Sequence, residues 1–247
     1  MISFYDKLAD RDKKQFAVLV DPDKHDDRSL ATLMKQVNLY PPDILLVGGS
    51  ILFEPIDLTI ASLKLGTKLP VFLFPGNVMQ LSDSADGILF LSLISGRNPE
   101  FLIGNHVLAA PHLNRSGIEV IPTGYLLIEN GRSTTVEYVS NTRPIPAGKT
   151  ELAIATSMAG EMLGMKAIYL EAGSGAEHCV AAEMISAIRK KISLPLIVGG
   201  GIRSLEQAGE VYDAGADMIV VGTAIEKDPT LVKVFYTLRN KRNSTEY

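Results

Sequence analysis

IYLEAGSGA, residues 168–176, reads as an apolar strand (Ile168, Tyr169, Leu170) that ends at Glu171. It runs into a small turn of Ala172, Gly173, Ser174 and Gly175, with an amphipathic helix expected from about Glu177. Gly173 and Gly175 carry no Cβ, so their amides can approach a ligand closely. A turn of this kind at a helix N-terminus suits an anion, because unpaired N–H groups and the helix dipole point at it. Glu171 would repel a phosphate, so its expected task is to bind or deprotonate a hydroxyl on the same ligand. Alone, the stretch is equally compatible with an ordinary strand–turn–helix connection. Two later stretches repeat the pattern: Leu194–Ser204 (LPLIVGGGIRS) and Asp217–Ala224 (DMIVVGTA), which ends in Gly222 and Thr223. Three consecutive strand ends with glycine turns predict a phosphate site near the end of a (β/α)8 TIM barrel. A Rossmann site would need G-x-G-x-x-G after the first strand; Gly199, Gly200 and Gly201 are consecutive and late.

The 247 residues match the length of one barrel, so a single domain over 1–247 is expected. A formal net charge of −4 gives no reason to expect a nucleic-acid partner. One cysteine, Cys179, excludes an intrachain disulfide and fits a reducing cytoplasm. Met1–Asp10 is too polar for a signal peptide, and no apolar run is long enough for a membrane span. The mean hydropathy of +0.16 is high, which points to apolar surface for a partner, a greasy ligand or transient membrane contact. A homo-oligomer, at least a dimer, is expected from the same excess.

Along the chain, Phe4–Lys13 reads as a leading helix and Gln15–Val20 as the first strand, ending in Asp21-Pro22-Asp23-Lys24. A carboxylate there faces the barrel mouth, where barrel active sites lie; Asp-Pro-Asp also suits a turn or cap. The helix Ser29–Asn38 and the strand Asp43–Val47 follow, the latter ending in Gly48-Gly49-Ser50. Asp43–Gly48 and Asp217–Gly222 share one pattern: Asp, four apolar residues, Gly. After the third strand, Val78–Asp86 is too short for a full connecting helix, so the barrel should be modified at its third βα unit. Gly87–Ser92 is the fourth strand, and Asn98-Pro99 opens a helix to about Leu113. Pro122 and Gly124 should disturb the fifth strand within Glu119–Ile128. The long polar connection Glu129–Lys149 has the character of a lid. Helix Glu151–Leu163 should use Ile154, Met158 and Met162 as its apolar face. Ser204 and Gln207 form a capping-box pattern, and Asn240–Tyr247 reads as a frayed tail. The four histidines form no metal spacing and read as structural or surface residues.

YLEAGSG at Tyr169–Gly175, GGGIRS at Gly199–Ser204, DPDK at Asp21–Lys24 and GGS at Gly48–Ser50 together resemble the geranylgeranylglyceryl and prenylglyceryl phosphate synthase family. The likeness runs in order through nearly the whole chain. It implies a modified barrel that transfers a prenyl group from a prenyl diphosphate to sn-glycerol 1-phosphate with Mg²⁺. It also implies that Asp21 and Ser50 are the magnesium residues. Tyr169, Leu170, Glu171, Ala172, Gly173, Ser174, Gly175, Gly200, Gly201, Gly222 and Thr223 would bind glycerol 1-phosphate, and a hexamer becomes an option. One branch of the family has a lysine two positions before the Asp21 equivalent. Leu19 stands there in this chain, which points to the branch preferring a geranylgeranyl chain.

The chemistry fits those residue types. An allylic diphosphate ionises when charge growing on the leaving group is stabilised, as Mg²⁺ would do with oxygen ligands. Glu171 then orients or deprotonates the acceptor hydroxyl, so Glu171 and Asp21 are the expected catalytic pair. A C20 tail needs an apolar groove, for which Ile51, Leu52, Phe53, Phe74, Leu93, Ile94 and Tyr125 are candidates. Two other readings share the late glycine turns: a different phosphate-binding barrel enzyme, such as a sugar-phosphate isomerase, and a non-catalytic phosphometabolite-binding barrel.

Overall fold

In the computed structural model, which describes residues 3–244, eight parallel strands close into a barrel in sequence order. They are β1 Gln15–Val20, β2 Ile44–Val47, β3 Val71–Leu73, β4 Gly87–Leu93, β5 Glu119–Leu127, β6 Ala167–Glu171, β7 Leu196–Gly199 and β8 Met218–Val221. Closure runs through β1 and β8, with Gln15 opposite Met218 and Val18 opposite Val221. Successive side chains on a strand point to opposite faces. Ala17, Ile44, Leu46, Phe72, Leu89, Tyr169 and Ile197 therefore fill the barrel interior. Phe16, Val18, Leu45, Val47, Ile168 and Leu170 face the outer layer under the helices. Both faces are covered, which is why the strands read as unbroken apolar runs.

The helices are α1 Phe4–Leu8, α2 Asp27–Leu39, α3 Ile56–Gly66, α4 Asn105–Ser116, α5 Thr135–Ser140, α6 Thr150–Met162, α7 Ala182–Arg189, α8 Leu205–Asp213, α9 Thr223–Lys227 and α10 Leu231–Asn243. Helix α1 closes the floor: Phe4 packs on Phe72 at 5.3 Å between ring centroids. The Glu119 carboxylate accepts the Phe4 and Tyr5 N–H groups, both at 2.8 Å. The helix stops at Leu8 rather than Lys13, because Phe4 and Leu8 are its only buried residues. Among the described residues no helix is long and apolar enough to cross a membrane.

The third βα unit is modified as expected. Between β3 and β4 the chain makes only a 3₁₀ turn, Val78–Gln80. Gln80 is buried and holds that turn to the preceding loop: its amide donates to the Gly49 carbonyl at 2.7 Å and accepts from Gly76 N–H at 3.1 Å. The missing helix leaves the outer face of β4 to be covered by a π-helical segment, Glu100–Gly104, which leads into α4.

Five local expectations change. The helix after β6 begins at Ala182, not near Glu177. Residues 172–181 stay irregular because Ala176 and Val180 turn into the core and the Arg203 side chain takes carbonyls of Gly175, Ala176 and Glu177. Strand β5 passes unbroken through Pro122, since pairing with β6 starts only at Thr123 and the missing N–H falls before that ladder. The 129–149 connection is not bare loop: it contains α5, started by a capping box between Thr134 and Glu137. Helix α6 fully buries Ala153, Ser157 and Gly160; of its expected apolar face, Ile154 and Met158 pack partly buried against the core, whereas Met162 is 80% exposed. Small residues win that face because a Cβ at Gly160 would meet Ile168 of β6 at 2.9 Å. Finally, Asn240–Asn243 belong to α10, while residues 245–247 lie outside the described residues.

Candidate active site

The C-terminal ends of the strands surround one cavity of about 440 Å³. Glu171, the last residue of β6, sits inside it and is 6% exposed. Its Oε1 accepts the Gly173 N–H at 2.6 Å. Burial lifts its pKa to about 7, partly offset by hydrogen bonds from the Gly173 amide and the Tyr169 and Tyr125 hydroxyls. Burial disfavours the charged carboxylate, so Glu171 changes charge near neutrality. Gly200 is required beside it: φ is +81°, and a Cβ there would collide with Glu171 Oε1. Gly199 likewise leaves room for the Tyr169 hydroxyl. The three-glycine run thus shapes β6 side chains as well as a turn.

Ser174, Gly175 and Gly201 line the cavity. Among the described residues, their N–H groups donate to no protein acceptor. Gly173 N–H is different, because Glu171 already holds it. The hydroxyls of Ser174 and Thr223 approach to 3.5 Å across the cup. Free amides and hydroxyls from the turns after β6, β7 and β8 therefore converge on one polar pocket. That pocket is made by backbone turns; α7 starts seven residues beyond Gly175 and contributes no dipole at its edge.

Across the mouth, Asp21 begins the loop after β1. Its Oδ1 accepts the Asp23 N–H at 3.0 Å, and burial raises its pKa. Asp23 is structural: it accepts N–H groups of Phe53 and Glu54 at 3.0 and 2.9 Å, fixing the β2 loop. Ser50 lines the same cavity as Asp21. The sequence reading missed Glu226 on α9, which faces the same space. Burial and the nearby Asp21 charge raise its pKa to about 7. The strand-pairing of β1 with β8 puts these two loops side by side, a juxtaposition that no local motif reveals.

The cavity's other half is apolar. Phe74, Tyr125 and Tyr169 form a triangle of rings with centroids 5.2–6.2 Å apart. Beyond it, Val78, Leu81, Phe90, Phe101 and Ala109 line a groove through the gap left by the missing helix. His106 also lines it, sharing a 2.9 Å hydrogen bond with Ser92 and meeting Phe90 edge-on at 4.5 Å. Burial lowers the His106 pKa. Of the apolar candidates read from sequence, Ile51, Phe53, Phe74, Leu93 and Tyr125 line the cavity; Leu52 and Ile94 do not. Leu170 and Ala172 also point away, into the outer layer. The other residues read as site residues (Asp21, Ser50, Tyr169, Glu171, Gly173, Ser174, Gly175, Gly200, Gly201, Gly222 and Thr223) share this one cavity. Among the described residues no group of three or more His, Cys, Asp or Glu side chains forms a metal cluster.

The PcrB family model matches residues 9–238. A geranylgeranylglyceryl phosphate synthase of Spirosoma linguale is 50% identical over 234 residues, covering 94% of each chain. One of Flavobacterium johnsoniae is 52% identical over 218 residues, covering 87% of this chain and 89% of its own. A crystal structure of (S)-3-O-geranylgeranylglyceryl phosphate synthase from Thermoplasma acidophilum, in complex with substrate sn-glycerol-1-phosphate, superposes with a TM-score of 0.91. It is 30% identical, and the match covers 98% of this chain and 100% of that one.

Proposed function

The chain belongs to the PcrB family, and from that premise we propose that it joins a geranylgeranyl group to the sn-3 hydroxyl of sn-glycerol 1-phosphate. The allylic C1–O bond of geranylgeranyl diphosphate breaks, its electron pair leaving with diphosphate. A new C–O ether bond forms to the glycerol oxygen, and the hydroxyl proton passes to Glu171. The product is an ether-lipid precursor. The observation that carries this reading is a buried carboxyl, Glu171, set between a cup of free amides and an apolar groove; burial pushes its pKa up to about 7, which suits a base. Few reactions need a phosphate-binding cup, a base and a greasy channel in one cavity.

Each side chain has a task in this reading. The amides of Ser174, Gly175 and Gly201 and the hydroxyl of Thr223 hold the glycerol phosphate. Glu171 lies next to that cup and holds the glycerol hydroxyls. Phe74, Tyr125 and Tyr169 present ring faces near the allylic carbon, and a ring face attracts the positive charge that develops there. The groove past Phe90 and Ala109 takes the distal isoprene units and keeps water from the cation.

Asp21 and Ser50 fit Mg²⁺, because the ion takes hard oxygen ligands and keeps several waters. Asp21 Oδ2 makes no hydrogen bond among the described residues, and Ser50 supplies a hydroxyl to the same cavity. When bound, the ion would neutralise charge on the diphosphate oxygens. Among the described residues neither Asp21 nor Glu226 makes an ion pair; Lys24 on the same lining acts on both from longer range, and a bound cation would add to it in balancing a diphosphate.

The reaction belongs in the cytoplasm on this reading, with transient contact at a membrane surface to pass on the product. Phe53, on the cavity lining, and Met79, next to the lining residue Val78, support that contact, being 87% and 86% exposed. Exposed Ile103 in the π-helical segment with Val107 and Leu108 on α4, and Leu152 and Met162 on α6 with Leu163 just after it, support a homo-oligomer, dimer or hexamer. Light scattering at micromolar concentration should give a multiple of 26.7 kDa; a monomer alone removes this part of the reading. The activity itself is tested with labelled sn-glycerol 1-phosphate, Mg²⁺ and prenyl diphosphates of several lengths. Mass spectrometry should find the geranylgeranyl ether; no prenylated glycerol phosphate with any donor would refute the function.

A further inference from the structure

We propose that Arg203 is a positioning residue for the acceptor phosphate, holding the two phosphate-facing turns in register and supplying an uncompensated positive charge behind them. The inference rests on the glycerol-phosphate reading of the cup.

Arg203 closes the GGGIR run after β7, yet its side chain reaches to the loop after β6. Its Nη1 donates to the Glu177 carbonyl at 3.4 Å and its Nη2 to the Gly175 carbonyl at 3.2 Å and to Ala176. One guanidinium thus ties three consecutive peptides of the neighbouring loop. A rigid planar fork does this with less loss of freedom than a lysine would need. The two loops are also packed backbone to backbone: a Cβ at Gly201 would collide with the His178 carbonyl. Gly173, Gly175, Gly200 and Gly201 all take positive φ, from +70° to +103°. Glycines in that region have wide conformational freedom when unbound, so something must fix the turn before a ligand arrives. Without Arg203, the three carbonyls would turn to water and the amides of Ser174 and Gly175 would lose their fixed aim.

Charge is the second half of the argument. Among the described residues no carboxylate lies within ion-pair reach of Arg203. Carbonyl partners do not cancel the positive charge as a carboxylate would. Its field is felt nearby, where it partly offsets the burial that pushes the Cys179 thiol up to about 11. Arg203 lines the same cavity as Ser174 and Gly201. A phosphate dianion entering the cup therefore meets a fixed cation whose two terminal nitrogens are already bonded to the loop. The residue acts through the turns and the field, and Glu171 keeps the chemistry.

The test compares wild type with Arg203→Gln, which removes charge and fork, and Arg203→Lys, which keeps charge alone. Calorimetry measures binding of sn-glycerol 1-phosphate, with inorganic phosphate and glycerol as probes of the two ends of the ligand. Steady-state kinetics gives KM for each substrate. In Arg203→Gln, affinity for glycerol phosphate and for inorganic phosphate should fall about tenfold or more, the scale of one lost charge-assisted contact. The KM for geranylgeranyl diphosphate and kcat should stay within about threefold, and Arg203→Lys should recover part of the loss. Thermal melting tells whether a variant is folded; should Arg203→Gln lose its fold, Arg203→Lys still decides, with a selective rise in glycerol-phosphate KM expected. Unchanged phosphate affinity, or an equal fall in every kinetic constant, overturns the proposal while leaving the acceptor site standing. Failure of the wild type to bind glycerol phosphate overturns both.

Discussion

The two ends of the barrel use the same residue type for opposite purposes. At the N-terminal end, Asp43, Asp86 and Asp217 immediately precede β2, β4 and β8. Each accepts an N–H from the strand before it: Phe16, Val71 and Leu196, all at 2.8 Å. Each also meets a cation from a helix: Arg239, Lys64 and Arg189 respectively. At the C-terminal end, Asp21, Glu171 and Glu226 line a cavity and make no ion pair among the described residues; Lys24 on the same lining acts on Asp21 and Glu226 only from longer range. Acids whose bonds are filled within the protein lock strands together. Acids left without a direct ion pair at a cavity keep carboxylate oxygens free for a ligand. This division also explains the echo between Asp43–Gly48 and Asp217–Gly222: the aspartate belongs to the floor and the glycine to the mouth.

Substitutions at the two ends should separate stability from activity. The largest effect is expected at the floor. Asp217 is 2% exposed and paired with Arg189, and removing one partner of a buried pair costs about 3–5 kcal/mol. Asp217→Asn should lower unfolding free energy by that order while kcat of the folded fraction changes little. A large kcat loss at full stability would break the comparison. At the mouth, Asp21→Asn should do the reverse: turnover falls on the order of 10²–10³-fold, as for loss of one electrostatic stabiliser, with the melting temperature unchanged or raised. Mg²⁺ dependence unchanged at near-normal rate would remove Asp21 from the site.

A smaller and more selective effect belongs to the apolar half. Leu93 lies beside Tyr125 in the barrel interior, close to the reacting centre, so enlarging it should slow every donor alike. Ala109 on α4 lies in the outer layer with Ile88 and lines the groove. Ala109→Phe should therefore penalise C20 over C10 diphosphates by about tenfold, since each buried CH₂ is worth about 0.8 kcal/mol. Competition between the two donors measures it. An equal loss for both would place the groove elsewhere.

The contrast also marks what a sequence can disclose. Continuous apolar strands and the glycine runs are dictated by local backbone needs, so the barrel, the cup and the shortened third unit were legible. The start of α7 was not, because tertiary contacts by Arg203, Ala176 and Val180 override the local helical pattern between Glu177 and Ala181. Glu226 was not legible either: only barrel closure brings α9 beside the β1 loop. Ser92 and His106 are 14 residues apart with no motif between them, and they meet because α4 covers β4 where a helix is missing. The floor network needs partners from helices up to 196 residues away.

The central claim is that Glu171 takes the acceptor proton, and the pH dependence of kcat/KM tests it most directly. A base works in its ionised form, so with a pKa of about 7 the wild-type rate should rise roughly tenfold per pH unit below neutrality and level off above it. Glu171→Gln keeps the shape without the titrating group. The account predicts a rate lower by at least about 10²-fold and flat through neutrality. A variant within about tenfold of wild type, with the same inflection near neutrality, would contradict it.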